Sequence, residues 1–422
     1  MDHQNIALLV FVAAYLLFVF LPRFRSLVAV VAAGILVAAG VLSPRETLTA
    51  VNWNVMGIFV GTLIAADVFI ESRFPAWFAE VIVNRARNTA WALLFICMMT
   101  GVISAFVENV ATVLIVAPIA LSLAQKLRLD PKSIMIAIAI SSNLQGTATL
   151  IGDPPSMILG GYAKMTFMDF FVYQGKPSIF FAVELGAITS FFVLFFIFRR
   201  LTQKPELEPV EQVRSWLPPV LLIALIAALA VSSFFDTGFS FLAGVICMVF
   251  GVFMLLWQTR LSGAHTFATL RKLDWDTTFF LMAIFIIVES LTVTGWIDSI
   301  SNAFSGLTGG NALLGYAGLV VFAILVSAFV DNVPFLAAML PVAQNMAQSL
   351  GVAPSLLLFG LLIGASLGGN ITPIGASANI VACGLSRQAG HPVTFREFAR
   401  ISVPFTIAAV VPAALLVWYI WR

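Results

Sequence analysis

Charge is scarce in this chain. Only 10 % of its 422 residues are Asp, Glu, Lys or Arg, against about 25 % in an ordinary soluble domain. That scarcity excludes a water-soluble enzyme or binding module. Cysteine and histidine are rarer still, with three of each. Cys97, Cys247 and Cys383 are scattered through apolar segments, which implies neither a disulfide framework nor a thiolate metal cluster. His3, His265 and His391 are dispersed, and HExxH and GxSxG are missing, so the chain is read as no enzyme. No GxxxxGK[ST] is present, so it carries no ATP motor of its own. A net charge of +2 gives no reason to expect a nucleic-acid partner. The longest polar gap, Arg199 to Ser215, leaves no room for a soluble domain.

Apolar sequence fills the rest, at 61 % of residues. Stretches of about 17–22 apolar residues recur from Ile6 to Trp421, each long enough to cross a bilayer or nearly so. The fold class is an all-α polytopic membrane protein. Its spans are expected near 6–21, 27–42, 54–70, 133–158, 178–198, 216–234, 238–258, 277–293, 354–380 and 401–420. Two further segments, near 90–125 and 314–348, read as helical hairpins that enter and leave on one side. The first stretch begins Asp2-His3 rather than with basic residues and is read as a retained helix, not a signal peptide. Arg73 to Asn88 has an amphipathic pattern and reads as a helix on the membrane surface. Trp77, Trp91, Trp216, Trp275, Trp296, Trp418 and Trp421 fall near segment ends, where an interfacial belt is expected.

One phrase occurs twice. "SAFVENVATVLIVAP" begins at Ser104 and "SAFVDNVPFLAAMLP" at Ser327. Sliding 104–160 onto 327–383 without a gap gives 18 identities in 57 positions, among them Asn109/Asn332, Pro118/Pro341, Gly146/Gly369 and Thr149/Thr372. "NWN" at Asn52 matches "DWD" at Asp274. The chain is therefore an internal duplication: a first repeat 1–198, a linker 199–215 and a second repeat 216–422. With the hairpins as drawn, one set of loops holds 18 of the 22 Lys and Arg residues. By the positive-inside rule that side, linker included, is cytoplasmic and both termini lie outside. Five crossings separate matching spans. An odd number inverts one copy relative to the other, a plan shared by many secondary transporters.

Four places break the helices: the hairpin tips around Glu108 and Asp331, "SSNLQGTATLIGDPPS" from Ser141, and "GASLGGNITPIGASAN" from Gly364. Non-helical backbone at membrane depth is tolerated only where it is buried or lines a watery cavity. Asn109 reads as the cap of the first returning arm, and Asp153 and Ser377 as caps where the broken spans restart. Glu108, Asp153 and Asp331 lie at the breaks, and no Lys or Arg does. Acids without bases favour protons, cations or neutral polar solutes. These three are the candidates for proton or cation coupling, with capping of the tips as the alternative role for Glu108 and Asp331. Asp67 and Glu289 match one another inside their spans and are weaker candidates.

The phrases "GTATLIGDPPSMI", "SAFVDNVPFLAAMLPV" and "GASLGGNITPIGASANIVACG" resemble the arsenite-permease and P-protein branch of the ion-transporter superfamily. That superfamily also holds sodium/proton antiporters and citrate-type carriers. The resemblance covers most of Trp53 to Phe405. It implies a scaffold domain, often a dimer interface, beside a transport domain with the hairpins. It also implies a substrate site at Asn109, Thr112, Asn143, Thr147, Thr149, Asn332, Asn370, Thr372 and Asn379, beside Asp153 and Asp331. Ser156 departs from the usual Asn after "GDPP", and the Ser-Asn-Thr tip of the dicarboxylate branch is absent. The function expected is proton-coupled efflux of a small inorganic solute, first arsenite or antimonite, across the inner membrane. The alternatives are a Na⁺/H⁺ antiporter and Na⁺-coupled carboxylate uptake. No cofactor is expected beyond the coupling ion, H⁺ or else Na⁺. The lipid bilayer, a second copy of the chain and a cytoplasmic ATPase subunit complete the expected partners.

Overall fold

A computed structural model describes residues 2–204, 212–236, 238–262 and 266–422. The middle of the expected linker, 205–211, and His265 lie outside the described residues. The first half runs α1 (His3–Phe20), α2 (Arg25–Ala38), α3 (Pro44–Ala50), α4 (Trp53–Glu71), α5 (Phe74–Asn84), the hairpin arms α6 (Thr89–Ser104) and α7 (Asn109–Lys126), the broken span α8 (Lys132–Gly146) and α9 (Pro154–Ala163), and α10 (Ile179–Phe198). The second half repeats that order: α11 (Leu217–Ser232), α12 (Leu242–Ser262), α13 (Thr266–Lys272), α14 (Trp275–Val293), α15 (Trp296–Thr308), hairpin arms α16 (Ala312–Ser327) and α17 (Asn332–Leu350), broken span α18 (Pro354–Gly368) and α19 (Ser377–Gln388), and α20 (Phe395–Trp421). Helix is the economical choice for such a chain, because each backbone group in hydrocarbon must be bonded within its own segment. Among the described residues eight helices are long and apolar enough to span a bilayer, or nine if the bent pair α15–α16 counts as one span.

The "NWN/DWD" echo is a helix start. Asn52 accepts from the Val55 amide at 3.1 Å and Asp274 from the Thr277 amide at 2.9 Å, capping α4 and α14. The Trp between them ties each long helix to the short one before it. Trp53 donates to the Leu48 carbonyl at 3.0 Å and Trp275 to that of Leu270 at 2.7 Å.

The halves pack reciprocally, as a two-fold relation requires: α4 lies on α12, and α14 on α2. With α1 and α11 these helices form one bundle. The α4–α12 crossing is close because glycines face it. A Cβ on Gly57 would lie 3.0 Å from the Gly244 Cα, and one on Gly61 only 2.3 Å from the Cys247 carbonyl carbon. The hairpins, the broken spans, α10 and α20 form a second bundle, in which Gly186 of α10 abuts the Ala409 carbonyl of α20. The amphipathic helix expected at 73–88 is present as α5; it and its counterpart α15 run from the first bundle to the hairpins.

Each hairpin is fastened to its own broken span by the same bond. Thr149 Oγ1 donates to the Ala105 carbonyl, and Thr372 Oγ1 to the Ala328 carbonyl. Gly152 and Gly375 stand beside these bonds because nothing larger fits: a Cβ would meet the Gly146 carbonyl oxygen at 2.3 Å and that of Gly369 at 2.5 Å.

Trp421 corrects the belt reading. It is 2 % exposed, packed against Tyr173 and Phe359. A small antiparallel ribbon, β1 (Val172–Tyr173) and β2 (Lys176–Pro177), covers it.

Two stability predictions follow from this packing. Gly61→Ala places a methyl against backbone that cannot rotate away and is expected to destabilise by about 1–3 kcal/mol, read as a fall in Tm in detergent. Gly34→Ala, which meets nothing within 4 Å, should leave Tm unchanged or raised. Thr149→Val and Thr372→Val each strip a buried carbonyl of its donor and should each cost about 1–3 kcal/mol. The two losses should match, because the two sites are equivalent.

Candidate functional site

Between the bundles lies a cavity of about 480 Å³. Both hairpin tips and both helix breaks line it, through Glu108–Val110, Phe329–Val333, Asp153–Pro155 and Ile374–Ala378. Phe18, Arg23, Arg25, Asp274, Asp276, Thr277 and Phe280 close it from the first bundle.

At the first tip Glu108, not Asn109, caps the returning arm, accepting from the Ala111 amide at 2.9 Å. Asn109 is the first residue of α7. Its Oδ1 accepts from Ser104 Oγ at 2.6 Å, and Ser104 in turn bonds Ser142 at 2.8 Å. A Cβ on Gly146 would lie 2.2 Å from that Oδ1, so glycine is needed for the tip to reach α8. At the second tip Asp331 caps α17 through the Val333 amide at 3.1 Å.

The two breaks are built differently. Asp153 caps α9, accepting from the Ser156 amide at 3.0 Å, with Thr147 Oγ1 at 3.5 Å. No side chain caps α19, where Ala376 rather than Ser377 holds the cap position. Asn379 serves that break instead, donating to the carbonyls of Gly369 and Thr372, both at 2.9 Å. Asn143 joins the two breaks: its Nδ2 donates to Asn370 Oδ1 at 2.8 Å and Asn379 Oδ1 at 2.9 Å. Asn370 reaches back to the Ile140 carbonyl at 3.2 Å.

Of the candidate residues, Glu108, Asn109, Asn143, Asp153, Asp331 and Asn332 line the cavity. Thr112, Thr147, Thr149, Asn370, Thr372 and Asn379 are buried behind that lining. Thr112 bonds the Val107 carbonyl at 3.3 Å, and the others hold the breaks in shape as described. Asp67 and Glu289 are not among the residues lining the cavity, and one Asp67 carboxylate oxygen is buried with no hydrogen-bond partner among the described residues. No group of His, Cys, Asp and Glu among the described residues is placed to hold a metal ion.

The reading of acids without bases is corrected for Asp331. Arg25 Nη1 stands 2.5 Å from Asp331 Oδ2, and its Nη2 donates to Thr277 Oγ1 at 3.1 Å. Asp276 lies 3.9 Å from its Nε, and the guanidinium sits over the Phe280 ring at 5.1 Å. In sequence Arg25 is one more positive loop residue, 306 positions from its partner, so only the tertiary fold brings it to the tip. Asp274 and Asp276 were missed as well, although the "DWD" echo marked them. The cavity thus holds five carboxylates against two guanidiniums. Glu108 and Asp153 have no Lys, Arg or His within 4 Å among the described residues.

The comparisons agree with this architecture. The model of the citrate transporter family (CitMHS) matches residues 15–364 and again 251–422. An uncharacterized transporter of Mycobacterium tuberculosis is 29 % identical over 424 residues, covering 98 % of this chain and 97 % of that protein. One from Synechocystis is 30 % identical over 433 residues, covering 97 % and 95 %. The P protein of Mus musculus is 27 % identical over 94 % of this chain, a match to 58 % of that longer protein. Among solved structures, the YdaH transporter of Alcanivorax borkumensis aligns with a TM-score of 0.58 at 13 % identity, over 86 % of this chain and 85 % of that one. MtrF of Neisseria gonorrhoeae gives 0.54 at 14 %, over 86 % and 80 %. At such identities the likeness concerns the fold alone. The family match runs through every segment that builds the cavity: this multi-pass membrane protein is a transporter, not an enzyme, and belongs to the citrate transporter family.

Proposed function

We propose that the chain is a proton-coupled secondary transporter that exports a small inorganic solute, first arsenite or antimonite, across the inner membrane. One observation carries the coupling: Glu108 and Asp153 face the same cavity and neither has a cationic partner among the described residues. Negative charge without a partner is costly at membrane depth. Each carboxylate is therefore a place where an entering proton is stabilised and a departing solute can be exchanged for it. The solute itself would meet the Asn109, Asn143 and Asn332 side chains, which suit the hydroxyls of neutral As(OH)₃. Arg23 and Arg25 fall among the loops that the positive-inside rule makes cytoplasmic, so the cavity opens toward the cytoplasm in this reading.

A second reading rests on Arg25. A guanidinium on the cavity wall suits a carboxylate substrate, and the family carries the name of a citrate transporter. Na⁺/H⁺ antiport is the third outcome the same assay reads.

The test is the purified protein in liposomes under an imposed pH gradient, with arsenite, antimonite, Na⁺, Li⁺ or a dicarboxylate added in turn. Arsenite or antimonite should collapse the gradient. Glu108→Gln and Asp153→Asn should each slow that collapse by about tenfold or more. Collapse by Na⁺ alone, with the metalloids inert, would replace this proposal by the antiporter; dicarboxylate uptake that requires added Na⁺, with the metalloids inert, would replace it by the carboxylate carrier.

A further inference from the structure

The two hairpin tips are held in different ways. Among the described residues the side-chain bonds of the first stay within its own bundle. Glu108 caps its own helix and Asn109 bonds Ser104. The second is tied to the opposite bundle twice, by Arg25 of α2 on Asp331 and by the Tyr15 hydroxyl of α1 on the Pro334 carbonyl.

Arg25 belongs to the first bundle by most of its other contacts; the exception is Nη1, which also lies 3.5 Å from Ser377 Oγ of α19. Thr277, Asp276 and Phe280 all lie on α14. They fix the guanidinium there whether or not Asp331 is present. A cation at the start of a helix faces the positive end of its dipole, so the surrounding carboxylates are what make the position tenable. The first repeat shows the same corner without the charge. There Asn54, the counterpart of Asp276, accepts from the Gly244 backbone amide at 2.7 Å. Its Nδ2 donates to the Phe239 carbonyl at 3.2 Å. The pseudo-symmetric position is thus a backbone contact, and among the described residues no ion pair joins it to Glu108.

We propose that Arg25 is a positioning residue: its ion pair with Asp331 holds the second hairpin on the first bundle in the conformation described here, and the pair opens whenever the hairpins move past that bundle. The inference rests on the transporter reading but not on any choice of solute. With both side chains about one-fifth exposed (22 % each), the pair is half-screened and reversible rather than a permanent clasp. Its loss shifts a two-state equilibrium without abolishing either state.

Thiol labelling without any added solute tests this. Ile380 lines the cavity and is 49 % exposed, while Cys97 and Cys247 are buried. An Ile380→Cys, Cys383→Ser chain in oriented vesicles is treated with a membrane-impermeant maleimide from each face. Adding Arg25→Ala should slow labelling from the face to which the cavity opens by about fivefold. Arg25→Lys, which keeps a cation beside Asp331, should slow it less. Equal labelling of the Arg25→Ala chain and its parent, or an Arg25→Lys chain labelled as slowly as Arg25→Ala, overturns the proposal. If Arg25→Ala does not reach the membrane, Asp331→Asn carries the same comparison with the guanidinium still on Thr277. Because no solute is present, failure of the arsenite reading leaves this result standing, and the reverse also holds.

Discussion

Everything at the centre of this protein answers to one constraint: a peptide group released from a helix inside hydrocarbon must find another partner. The chain breaks its helices four times at one depth, and each break is closed by its own chemistry. Glu108, Asp153 and Asp331 cap restarting helices. Thr149 and Thr372 serve the carbonyls at the ends of the outgoing hairpin arms. Asn379 serves two carbonyls of its own break. Once those obligations are met, few polar groups remain to face a solute, and they are the ones on the cavity wall. The same residues make the breaks possible and make the cavity polar.

Duplication supplied two copies of this solution, and the copies have diverged where it matters for transport. The first repeat keeps an acid at its break, and both of its cavity carboxylates lack a cation among the described residues. The second keeps amides at its break and a carboxylate matched by Arg25. Asn143 crosses from one break to the other, so the halves are joined side chain to side chain behind the cavity. The two repeats thus differ in how their tips and breaks are held, although both place carboxylates on the cavity wall.

Much of this was legible in the sequence. The duplicated phrase marked two halves that share one order of elements, and the Pro and Gly punctuation marked where their helices end. Hairpin arms and broken spans ended within a few residues of expectation, except that α9 and α19 run on past 158 and 380. The miss was Arg25. A lone arginine in a short turn between apolar segments reads as an inside-loop marker, and no local pattern links it to Asp331. Caps were misassigned by one residue at Asn109 and Ser377 for a related reason. Glu108 and Asn109 can both cap and Glu108 does so, whereas Ala376 takes the other cap position without any side-chain bond. Trp421 looked interfacial because its burial depends on Tyr173, far away in the chain.

The glycine seam between α4 and α12 has a mechanical consequence. Where Gly57, Gly61, Gly244 and Gly251 bring two helices together backbone to backbone, no side chain can change rotamer to absorb sliding. That pair behaves as a stiff rail. A displacement of the hairpins against that pair would have to pass through α5 and α15, which begin at the left-handed corners Arg73 and Gly295.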